Sequence, residues 1–134
     1  MTVSTIRDGI KTRLATISGL NTYDTVPDNP MVPFAAVLPT GIEYDAAMAD
    51  GAHAYRFGIL VAVHRASEGV AQDALDAYCD ATGTKSIRAA INGDRTLAGE
   101  VFSCRVTEMR NYSQLPIGET TYLGAEFVVE VYAA

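Results

Sequence analysis

Apolar residues Val3, Ile6, Ile10, Leu14 and Ile17 recur three or four positions apart, the spacing of a helix that turns one stripe toward a core. Thr2 or Ser4 can supply the N-cap oxygen, and Gly19 suits the stop. The period then changes. Tyr23 to Val26 reads as a short strand, and Pro27, Pro30 and Pro33 mark a stiff connector without helix or central sheet. The apolar run Phe34 to Leu38, closed by Pro39, predicts a buried strand. Ile42, Tyr44 and Ala46 alternate with acidic residues, and Asp50-Gly51 suits a two-residue hairpin turn. The return arm, Ala54 to Ala66, places Tyr55, Phe57, Ile59, Val61 and Val63 on one face and Arg56, Gly58, Leu60, Ala62 and His64 on the other.

Helical spacing returns after Ser67, with Val70, Ala71, Ala74, Leu75 and Tyr78 as the apolar stripe and an end expected near Gly83. Ser86 caps a short third helix carrying Ile87, Ala90 and Ile91, stopped at Asn92-Gly93. Two further strands, Val101 to Tyr112 and Thr121 to Tyr132, flank a loop expected at Ser113 to Glu119. The pattern predicts a single domain over residues 1–134 of α+β class. Its mixed or antiparallel sheet has about five to six strands, with the N-terminal helix and one or two further helices packed on one face.

Composition narrows the functional classes. A chain of 134 residues with 49% hydrophobic and 19% charged residues can bury a core and is unlike a disordered segment. The formal charge of -6 disfavours affinity built on phosphate neutralisation. No stretch reads as a signal peptide or a bilayer span, so a soluble protein made in the cytoplasm is expected. Cys79 and Cys104 form no CxxC pair and read as buried free thiols.

Motifs for chemistry are absent from the sequence. His53 and His64 have no HxxxH or HExxH spacing, and no GxSxG elbow or phosphate-cradling glycine loop occurs. No catalytic residue, cofactor or metal is therefore expected. Glu126 and Glu130 share one strand face with Tyr122, Val128 and Tyr132, a mixture that reads more simply as a subunit-facing sheet than as an acid/base pair. Leu60, Ala62 and Val128 make the second sheet face partly apolar, which suggests that other protein covers it.

Three stretches, VPDNPMVPFAAVLP (Val26 to Pro39), YRFGILVAVHRASEGVAQDALDAYC (Tyr55 to Cys79) and RVTEMRNYSQLPIGETTYLGAEFVVEVYA (Arg105 to Ala133), resemble the tail terminator proteins of long-tailed bacteriophages, especially those of actinobacteria. The resemblance implies a structural virion protein without enzymatic activity, at the head-proximal end of the tail. It would form a ring, borrowed from the family as a hexamer, that caps the tail tube and stops its polymerisation. Its implied partners are itself, the major tail tube protein and the head-tail connector or stopper protein. DNA would only pass through the bore, whose lining is expected to be acidic, and no membrane is involved. From pattern alone, the subunit or tube contacts are expected at Asp45, Met48, Asp50, His53, Arg56, Leu60, Leu115, Ile117, Tyr122, Glu126, Val128 and Glu130. The alternatives are another neck or tail-completion protein, or a small cytoplasmic enzyme using His64, Asp73 or Glu126 in a cleft at the sheet edge.

Overall fold

The computed structural model describes residues 3–23, 31, 33–44, 53–64, 68–97, 99, 101–117 and 120–133, with residues 68–70 described by their backbone only. The elements are α1 (Val3–Leu14), β1 (Asn21–Tyr23), β2 (Phe34–Glu43), β3 (His53–Val63), α2 (Glu68–Cys79), α3 (Ile87–Asn92), β4 (Ser103–Ile117) and β5 (Thr120–Ala133). Among the described residues the strands form one mixed five-stranded sheet in the order β1-β2-β3-β5-β4. β1 runs parallel to β2, and every other neighbouring pair is antiparallel. The fold is α+β, with all three helices on one sheet face.

The core follows from the two periodicities. Ile6, Ile10 and Leu14 of α1, Ala71, Leu75 and Tyr78 of α2, and Ile87 and Ile91 of α3 close over Ala35, Val37, Tyr55, Phe57, Ile59, Val61, Val63, Phe127, Val129 and Val131. This confirms the face expected of the β3 arm. Ile17 also reaches the core, but from beyond the helix. The Ile17 amide donates to the Leu14 carbonyl at 3.0 Å, a tightened turn after which Gly19, at φ +81, reverses the chain. Ser4 lies inside α1 and does not cap it, while Thr2 falls outside the described residues.

Ser86 does cap α3: its hydroxyl oxygen accepts from the Ala89 amide at 3.1 Å and its own proton goes to the Asp80 carbonyl. Arg13 ties α1 to this region, its Nε donating to the Ala90 carbonyl at 2.9 Å. Helix α2 ends at Cys79, earlier than Gly83.

Pro39, expected to end a strand, and Pro116, within the expected loop, both lie inside strands. Pro39 continues β2, so the two strands expected on either side of it are one, with a register shift between Pro39 and Gly41. Among the described residues β1 pairs β2 only at Phe34–Ala36, so Pro39 lies beyond that pairing and its missing N–H breaks no bond to β1. Pro116 continues β4, the outer strand, opposite Thr121. The stretch expected as a loop at Ser113 to Glu119 is therefore strand as far as Ile117. β1 spans Asn21–Tyr23, earlier than the expected strand, whose remaining residues and the proline connector up to Pro30 lie outside the described residues.

Candidate interaction surface

The sheet face opposite the helices changes character along its length. At one end Phe34, Ala36, Ala62 and Tyr122 form a second buried cluster, with Tyr23, Leu115 and Ile117 packed against it. Small residues make room for the large ones. A Cβ on Gly124 would stand 3.2 Å from both Leu115 Cδ2 and the Val61 carbonyl oxygen, so Leu115 lies directly over that glycine. Tyr23 meets Phe34 edge to face, with ring centres 6.0 Å apart.

In the middle of this face Leu60 and Val128 are half-buried, and Gly58 lets the Glu126 side chain lie flat across β3. Toward the other end the surface is charged, and Arg110 and Arg56 each meet a carboxylate. Arg110 donates from Nε and Nη2 to one Glu126 oxygen at 2.9 and 2.7 Å, and Glu108 approaches its Nη1 at 3.9 Å. These contacts, led by the hydrogen bonding with Glu126, hold the Arg110 guanidinium above its usual range. Arg56 meets Glu43 across β2 and β3 at 3.3 Å, and the Tyr132 hydroxyl donates to Glu130. Such opposite-charge pairs are the sheet's counterpart of helix ion pairs, modest in energy but specific in register.

The expected contact residues are thereby sorted. Arg56, Leu60, Glu126, Val128 and Glu130 share this face, as the alternation predicts. Leu115, Ile117 and Tyr122 share it too, but Tyr122 is buried and the other two half-buried within the chain's own second cluster. Ala62 likewise finds its cover inside the chain, so part of the apolar second face is explained without a partner. His53 stands apart at the opposite face, half-buried and edge-on to Tyr44 and Tyr55 at 5.6 and 6.2 Å. Asp45, Met48 and Asp50 lie outside the described residues, as does the turn at Asp50-Gly51.

Sequence reasoning missed two contributions: Phe34 as the anchor of the second cluster, and Arg110 as the partner of Glu126. Residue 110 can be matched to residue 126 only once the hairpin register is known.

Both cysteine thiols are held protonated at neutral pH. Burial pushes the Cys79 thiol up to about 11, with Asp76 and Asp80 adding to it. Burial does the same for Cys104, also to about 11, with Asp94 reinforcing and Arg95 and Arg13 opposing. A thiol protonated at neutral pH is a poor nucleophile. His64 is exposed at the end of β3. No three His, Cys, Asp or Glu side chains converge on a metal-sized site among the described residues. A hollow of about 340 Å³ lies between α1 and the turn at Asp94, and one of about 160 Å³ beside Cys79 and Met109. Neither contains His64, Asp73 or Glu126. No helix among the described residues is long and apolar enough to cross a membrane. No protein-family model matches the chain, and no curated protein matches it either.

Proposed function

We propose that the chain is a tail terminator subunit of a long-tailed bacteriophage, acting through protein-protein contacts and not through catalysis. The observation that carries the structural part of this reading is the second sheet face. Half-buried Leu60 and Val128 sit beside Glu126, Glu130, Arg56 and Arg110 there, an apolar centre with a polar rim, in which Arg110 meets Glu126 and Arg56 meets Glu43, of the kind subunit contacts use. The terminator part rests on the resemblance of the three stretches quoted above. Under this reading copies of the chain assemble into a ring, one surface meeting the tail tube and another the head-side connector, with DNA passing through the bore. A ring requires two different patches on each subunit, and the second face supplies one candidate.

The test is capping. Added to polymerising tail tube protein, the folded chain should stop growth at one end and give tubes of limited length by electron microscopy. Tube growth indistinguishable from that without the chain would refute the proposal. In particles lacking the protein, overlong tails are expected. Tails of normal length that fail to join heads would instead assign it to head-tail joining.

A further inference from the structure

Strand β4 carries two register shifts against β5, between Val106 and Glu108 and between Arg110 and Ser113. At the second, β4 advances three residues while β5 advances two, from Glu126 to Gly124. One extra residue inverts the alternation beyond it. Inside the bulge Met109 is opposite Phe127, on the helix side, whereas outside it Leu115 is opposite Tyr122, on the other. The bulge thus delivers Leu115 and Ile117 to the second cluster. With the first shift in place and the second absent, both would turn to the opposite face.

Two residues hold the bulge. Asn111 adopts φ 57, in the left-handed region that asparagine tolerates better than most side chains. Tyr112 leaves the ladder and reaches α2, where its hydroxyl donates to Asp76 Oδ1 at 2.8 Å and lies 3.5 Å from the Gln72 carbonyl oxygen. Tyr112 is 36% exposed and belongs to neither buried cluster, so this contact acts chiefly on the outer strand. β4 is also the sheet's outer strand, with β5 as its one strand neighbour among the described residues.

We propose that Tyr112 and Asp76 form a latch that holds the outer arm of β4, Ser113–Ile117, in its bulged register over the second cluster. Release of the latch lets the arm leave β5 and uncovers Tyr122 and Phe34 while the rest of the sheet stays folded. The inference rests on the hairpin geometry alone and stands whether or not the chain terminates tails.

Amide hydrogen exchange on the full chain tests it, because exchange reads local opening segment by segment. Tyr112→Phe removes one hydroxyl and keeps the ring. The β5-paired amides of Ser113–Ile117 should then exchange about five- to ten-fold faster, the effect of one lost hydrogen bond on a local opening, with the amides of β3 unchanged. Equal exchange in the variant and the parent overturns the proposal. So does acceleration shared equally by β3, which would make Tyr112 an ordinary contributor to global stability.

Discussion

Leu97 packs its side chain against the bare backbone of Gly9. Leu97 is 3% exposed and holds φ 49, and a Cβ on residue 9 of α1 would stand 3.2 Å from its Cδ1 and 3.3 Å from its Cβ. A glycine in mid-helix costs about 1 kcal/mol relative to alanine, so Gly9→Ala improves helix propensity. The added methyl also meets a buried residue whose own Cβ is fixed by a constrained backbone, and overpacking of this kind costs about 1–3 kcal/mol. We expect a net loss of about 1 kcal/mol from these two opposing effects, read by urea unfolding. Leu97→Ala introduced with Gly9→Ala should cost less than the sum of the two single changes. Strict additivity would show that the two residues do not press on one another.

The α3 cap offers a second measurement. Ser86 is 1% exposed and satisfies both the Ala89 amide and the Asp80 carbonyl. Ser86→Ala leaves both without that partner and should lower stability by about 1–2 kcal/mol. Ser86→Thr, which retains the hydroxyl, should recover part of it. Equal stability of the alanine and threonine variants in thermal melts would contradict the role assigned to the hydroxyl.

The thiols should be slow to react. With both raised to about 11, roughly one thiol in a thousand is ionised at pH 8. Cys104 is 0% exposed and should react with a chromogenic disulfide only as the protein unfolds, whereas half-buried Cys79 should react slowly in the native state. A single fast phase accounting for both thiols before denaturant is added would be incompatible with this packing.

Tyr112 should impose an alkaline limit. Burial first, then its hydrogen bond to Asp76, raises its hydroxyl from 10.0 to about 12. A pKa raised on folding means that the folded state binds the proton more tightly. The stabilisation is complete below pH 10 and is lost as pH rises toward 12. The stability of the parent should therefore decline more steeply across that interval than that of Tyr112→Phe. Parallel curves for the two proteins would remove Tyr112 from the account.

The proposed interaction face can be probed without disturbing the fold. Leu60→Lys and Val128→Lys alter half-buried positions on the face opposite the helices, where a long cation can keep its head in water. Both variants should retain native circular dichroism and lose self-association and tube capping. Full capping by both would move the contact surface elsewhere.

Much of this fold is legible along the chain because periodicity is a local property. The stripe of Ile6, Ile10 and Leu14 finds its core, and the alternation from Tyr55 to Val63 picks the correct buried face. Ser86 caps the helix that its position announces. The same reasoning placed Arg56, Leu60, Glu126, Val128 and Glu130 on one face, since residues two apart in a strand point the same way.

Tertiary structure decided the rest. Whether Pro39 and Pro116 end a strand depends on which backbone edge is left unpaired, and that follows from strand order rather than from the proline itself. The destination of Leu115 and Ile117 depends on two register shifts in β4 that offset one another, the second at Asn111 and Tyr112 and tied to a side chain of a helix far earlier in the chain. The pairing of Arg110 with Glu126 follows from the first shift, between Val106 and Glu108, and the cover over Tyr122 from the second. Local pattern establishes which residues of a strand share a face, but a bulge resets that parity, and only contacts distant in sequence stabilise the bulge where it lies.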